Sequence, residues 1–167
     1  MKHISLKKLL RLTPTLVVVS MGANAHTNET TLCHPREDVY FSCPTENNKI
    51  ISLCAFENSS PNHGYVQYRF GTPDHIEFEF PNKPQPPKNR VLISDISVSL
   101  RKIEFTHIKF KSVRYDYVIY TGYSSGIYVL KNGKSISNRS CDSVGYQQLH
   151  PEAYLGIKTV PPVKGID

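Results

Sequence analysis

The sequence predicts an all-β protein, a single-domain antiparallel sandwich or barrel of about eight or nine short strands, stapled by disulfides. Three observations carry this expectation. Runs rich in β-branched and aromatic residues recur at about 8–12-residue spacing between clusters of turn formers. No stretch of helical period competes with them, apart from a short helical turn expected within Val144 to Tyr154. Four cysteines, an even number, all follow an export-type leader.

That leader is residues 1–25. Lys2, Lys7, Lys8 and Arg11 form a basic start, Leu16-Val17-Val18-Val19 sits in an apolar run from Leu12 to Met21, and Ala23-Asn24-Ala25 has the small-x-small form of a cleavage site. The apolar run is shorter than the roughly 20 residues that span a bilayer, and no later segment approaches that length. The expected product is soluble, periplasmic or secreted, with no transmembrane segment. Removing the leader takes away four of the twenty Lys/Arg and none of the fourteen Asp/Glu, so the net charge falls from +6 to +2. Phosphate binding requires a clustered cationic surface, and nucleic acid is therefore not an expected partner. The remaining 142 residues suit one β domain over 26–160 with a loose tail over 161–167.

Residues 26–38 are polar and aperiodic, an extended lead-in held by Cys33. Val39 to Phe56 reads as a hairpin, because Asn47-Asn48 accepts the positive φ of a tight turn between two β-rich runs. Glu57 to Gly64 is a cluster of turn formers and hence a surface loop. Tyr65 to Phe70 resumes strand chemistry. In His75 to Phe80, the residues Ile76, Phe78 and Phe80 alternate with His75, Glu77 and Glu79, the period of a strand with one wet face. Pro81 to Lys88 cannot join a sheet ladder and is taken as a crossover within one domain rather than a linker. Strands are then expected at Val91 to Leu100, Ile103 to Phe110, Val113 to Thr121, Gly126 to Lys131 and Lys134 to Ser140, with Asn132-Gly133 the strongest hairpin signal. The cysteines allow three connectivities, of which we prefer Cys43–Cys54 across the first hairpin and Cys33–Cys141 closing a loop of about 108 residues.

Catalytic signatures are sparse. His26, His34, His63, His75, His107 and His150 show no zinc-type spacing, and no Cys-x-x-Cys, nucleophile elbow or phosphate-cradling glycine loop occurs. No metal, cofactor or catalytic residue is expected. Glu77 and Glu79 read as a solvated strand face. Asn58-Ser59-Ser60 and Asn138-Arg139-Ser140 match the glycosylation pattern. The suggestive feature is a crowd of tyrosines beside a glycine-serine loop, since a tyrosine ring buries area while its hydroxyl stays polar. From it we select Arg114, Tyr117, Tyr120, Tyr123, Ser125 and Tyr128 as candidate binding residues.

Phe41-Ser42-Cys43, Ser52-Leu53-Cys54-Ala55 and Tyr65-Val66-Gln67-Tyr68-Arg69-Phe70-Gly71, followed by Tyr117 to Gly122 and Gly126 to Val129, resemble a family of uncharacterised exported bacterial β-rich proteins, which brings no activity with it. In export signal, size, β content and cysteine usage the chain is also similar to periplasmic C-type lysozyme inhibitors, small β-barrels with a Ser-Gly-x-x-Tyr-like loop; Ser125-Gly126-Ile127-Tyr128 is one residue shorter. The function expected is non-enzymatic binding of a protein or glycan of the bacterial envelope, most concretely as an inhibitor or immunity protein against a cell-wall hydrolase. The competing expectation is an envelope hydrolase whose catalytic residues are scattered in sequence.

Overall fold

The computed structural model describes residues 30–95, 106–122, 124–142 and 149–162. The predicted leader, Tyr123, the far end of the strand expected at Val91 to Leu100 and most of the helical stretch expected after Val144 lie outside them. Among the described residues ten strands are present: β1 (Asp38–Thr45), β2 (Lys49–Phe56), β3 (Tyr65–Thr72), β4 (His75–Phe80), β5 (Val91–Asp95), β6 (Thr106–Ser112), β7 (Tyr115–Thr121), β8 (Gly126–Lys131), β9 (Lys134–Ser140) and β10 (Lys158–Val160). They form a first sheet in the order β1-β2-β3-β4 and a second in the order β10-β5-β6-β7-β8-β9. All pairings are antiparallel except that of β10 with β5. Neither sheet closes into a barrel, so of the two architectures left open by the sequence the protein adopts the sandwich.

The turns follow their residues. Asn47 and Asn48 both take left-handed backbone, φ 61 and 57, in the turn between β1 and β2, and Asn132-Gly133, φ 52 and 74, closes β8 onto β9. Residues 81–90 carry the chain from the first sheet to the second. Val113 departs from expectation: it does not open a strand but sits in the tight β6–β7 turn with φ 56, and 86% exposed. β10 was not legible in advance, because three residues are too few to show a period. The helical turn α1 (Ala153–Gly156) falls at the end of the stretch where one was expected.

One apolar core lies between the sheets. Phe41, Cys43, Ile51, Leu53, Val66 and Tyr68 of the first sheet meet Val91, Ile93, Ile108, Phe110, Ile119 and Ile127 of the second. Aromatic rings carry much of the contact: Phe110 stacks on Phe80 at 4.8 Å and on Tyr117 at 4.9 Å, and Tyr117 stacks on Phe78 at 5.1 Å. Such ring pairs contribute about 0.5–1.5 kcal/mol each beyond the area they bury. Along β3, Tyr68 meets Phe110 of β6 and Tyr117 of β7, while Phe70, two residues on, lies under Arg139 of β9.

The outer face of the first sheet is covered. Residues 30–37 lie over it as a strap: the Leu32 amide and Thr31 hydroxyl bond Ser52, and Ser42 donates to the Thr30 carbonyl. Beneath the strap Arg69 makes a two-pronged contact with Glu37, Nη2 to Oε1 at 2.8 Å and Nη1 to Oε2 at 2.5 Å, and also donates to Glu79, Gln67 and the Leu32 carbonyl. The Arg69 and Glu37 side chains are 4% and 2% exposed. The expectation of a merely solvated Glu77/Glu79 face is therefore revised. Glu79 is tied to a buried cation, while Glu77 pairs with Lys49 at the surface. Ile76, expected inside, is 39% exposed, because a bulge between Phe70 and Gly71 breaks the register that Phe78 and Phe80 keep.

The disulfides are Cys33–Cys54 and Cys43–Cys141, with Cα separations of 5.3 and 5.6 Å, which corrects both expected pairs. Hairpin register decides the matter. Cys43 opposes Ile51 and Cys54 opposes Val39, so the two cysteines are offset by four residues along β1. That is about 13 Å of strand, beyond a disulfide's reach. They also serve different faces: Cys43 points into the core, where the end of β9 delivers Cys141, and Cys54 points to the strap.

Candidate binding surface

Strand pairing sorts the predicted binding residues between two faces and two ends of the second sheet. Side chains alternate along a strand, so Tyr117 and Tyr120, three positions apart on β7, point to opposite sides. Tyr117 belongs to the inter-sheet ring stack. Tyr120 and Tyr128 share the outer face, with ring centroids 5.9 Å apart and 29° between their planes. Ser125 is buried, and its carbonyl accepts the Cys141 amide, so it shapes the strand end and presents nothing to solvent. Arg114 is exposed in the β6–β7 turn, at the other end of β7 from Tyr120, on the order of 20 Å away. Tyr123 lies outside the described residues. The six candidates thus reduce to one pair, Tyr120 and Tyr128, brought together.

Around that pair the structure adds residues the sequence reading did not single out. His107 lies opposite Tyr120 on β6 and meets Tyr128 edge-on at 5.9 Å. The Tyr120 hydroxyl donates to Asn138 Oδ1 at 3.2 Å and lies 3.4 Å from Ser140 Oγ, both on β9. It reaches them by crossing Gly126, its direct partner on β8, where an added Cβ would stand 2.6 Å from the phenol oxygen and 2.3 Å from the Arg139 carbonyl. Glycine at this position is what lets the ring lie flat across the sheet. Together with Thr121 and Ser124 these residues line an open depression of about 380 Å³. No lysine, arginine, aspartate or glutamate lines it among the described residues. Its chemistry is therefore two ring faces, an amide, hydroxyls and an imidazole, suited to a neutral polar ligand. Period-two counting from Tyr120 to its cross-strand neighbours is the signal that would have found Asn138 and His107.

A second depression, about 310 Å³, is acidic, lined by Asp38, Glu57 and Glu152 with Tyr40. Burial, then the nearby Asp38 and Glu152 carboxylates, push the Tyr40 hydroxyl up to about 12, so it is a fixed donor at neutral pH. That hydroxyl donates to Asn58, whose Nδ2 donates in turn to the Ser60, His63 and Gly156 carbonyls. Asn58 is thus a buried tie between the 57–64 loop and α1, and its side chain is not presented for glycosylation, whereas Asn138 is exposed. Among the described residues the histidine–carboxylate ion pair is His150–Glu152, at 4.0 Å and with both side chains exposed. The grouping of Cys33, Glu37 and Cys54 has ligand-type atoms close together, but both sulfurs are spent in a disulfide and the carboxylate is held by Arg69. It offers a metal ion nothing. No family model, curated protein or solved structure matches the chain.

Proposed function

We propose that the protein is an exported, non-enzymatic binding protein of a bacterial envelope, and that the Tyr120/Tyr128 depression takes a neutral glycan. The observation that carries this reading is the uncharged lining: two half-buried phenol rings with Asn138 and Ser124 around them and no ionic group. Sugar rings present C–H faces that pack on aromatic rings and hydroxyls that need amide and hydroxyl partners, and tyrosine supplies both from one rigid side chain. Two disulfides agree with an oxidising compartment, and no helix of the described residues is long and apolar enough to cross a membrane.

The test uses purified peptidoglycan sacculi and chitotetraose as probes. The wild-type protein is expected to co-sediment with sacculi and to show saturable chemical-shift changes at Tyr120, Tyr128 and Asn138 with chitotetraose. Tyr120→Ala, which removes one of two stacking faces, is expected to weaken binding about tenfold, the order of one lost stacking contact. Equal binding by wild type and Tyr120→Ala, or no binding by either, would overturn the reading. Inhibition of a cell-wall hydrolase that Tyr120→Ala abolishes, without glycan binding, would replace the glycan by a protein partner at the same surface.

A further inference from the structure

The edges of the two sheets, β4 on one and β9 on the other, leave a mouth between them that opens on a cavity of about 210 Å³. Its walls are aromatic and aliphatic: Phe78 and Tyr117 stacked on each other, with Phe70 and Val129 beside them. Three polar residues depart from that character, Ser137, Arg139 and Tyr68, and the last two bear on what it can bind. Arg139 stands with its guanidinium carbon 5.0 Å over the Phe70 ring, and its charge reaches Glu77, a carboxylate already paired with Lys49. Tyr68 is 3% exposed and lines the same cavity, and its hydroxyl makes no hydrogen bond among the described residues. Burial above all, then the neighbouring Tyr117, raise the Tyr68 hydroxyl far above its ordinary range, with Arg139 acting in the opposite direction, so it stays a proton donor at any physiological pH.

A hydroxyl donor that opens on an aromatic slot and a cation beside it are together complementary to a carboxylate carried on a ring. We propose that this inter-sheet cavity binds a small aromatic monocarboxylate. Its ring packs against Phe78, Tyr117 and Val129, and its carboxylate accepts hydrogen bonds from the Tyr68 hydroxyl and the Arg139 guanidinium. The volume limits the ligand to roughly one ring with a short substituent, since drug-sized ligands occupy about 300 Å³ or more. The site lies on the core side of the second sheet, whereas the glycan surface lies on its outer face, so the two readings stand or fall separately.

Benzoate is the probe, with benzyl alcohol as its neutral counterpart, and binding is followed by calorimetry and by shifts of the Tyr68 and Arg139 signals. Benzoate is expected to bind saturably with a Kd on the order of 1 mM or below, as its few heavy atoms allow. Benzyl alcohol is expected to bind about tenfold more weakly, as is benzoate to either Tyr68→Phe or Arg139→Gln, since each loses a bond to a charged group. Tyr68→Phe removes a hydroxyl with no internal partner, so its thermal midpoint without ligand should be at or above that of the wild type. That separates a lost ligand contact from a damaged fold. The proposal is overturned by absence of saturable benzoate binding up to about 10 mM, by unchanged affinity in Tyr68→Phe, or by a lowered midpoint in that variant, which would give the hydroxyl a structural partner instead.

Discussion

Arg69→Met is expected to destabilise the protein by about 3–5 kcal/mol at pH 7, the range for removing one member of a buried ion pair. The cost arises chiefly at Glu37, left as a carboxylate 2% exposed with only the His34 amide and the Tyr65 hydroxyl to hold it. In the wild type, burial pushes Glu37 upward, but hydrogen bonds from Arg69, His34 and Tyr65 outweigh it and the carboxyl lies below its ordinary value of 4.5. A depressed folded value means that this group's contribution is fully present above about pH 4.5 and is lost as pH falls through the folded value. Without Arg69 its hydrogen bond and its charge are lost while burial remains, so the folded value is raised relative to that of the wild type. The variant's penalty is then relieved as pH falls through that raised value. Urea midpoints at pH 7, 5 and 3.5 should therefore converge for wild type and Arg69→Met toward acid. Midpoints that stay equally separated at every pH would show that the loss is one of packing alone. Arg69→Met/Glu37→Leu, which removes both charges, is expected to recover most of the stability.

Loss of the Cys43–Cys141 bridge is the other large effect. The cysteines are 98 positions apart, so on the chain-entropy model the bridge removes about 4.7 kcal/mol of loop-closure entropy from the unfolded chain. The Cys33–Cys54 bridge, with a separation of 21, is worth about 3.4 kcal/mol on the same scale. Cys43→Ala/Cys141→Ala should thus lower the unfolding free energy more than Cys33→Ala/Cys54→Ala does, as read by denaturant titration under non-reducing conditions. Peptide mapping of the unreduced protein checks the connectivity on which the ranking rests. A fragment joining Cys43 to Cys54 would refute it, together with the register of the first hairpin.

Most of the sheet architecture was legible in the sequence because turn chemistry is local. Asn47-Asn48 and Asn132-Gly133 state their own backbone, and Phe78 and Phe80 keep the alternation that points them inward. What was not legible depends on register and on what covers a face. The disulfide pairs turn on a four-residue offset within one hairpin that no residue type announces. Arg69 reads as an outward strand residue until the strap over 30–37 is in place, and only then is it a buried cation with a partner. The tyrosines were grouped by nearness along the chain, although the three-residue interval between Tyr117 and Tyr120 already separates them on a pleated strand. That interval leaves one of them in the core and the other on the outer face.

In chain order the cysteines pair first with third and second with fourth, so the two covalent loops interlock. If the chain is exported as proposed, an oxidant that joins thiols in the order they emerge would couple Cys33 to Cys43 first, a pair the folded protein does not contain. Correct maturation then requires a shuffling catalyst as well as an oxidising one, and a host lacking the isomerase should accumulate a mis-bridged, protease-sensitive form of this chain.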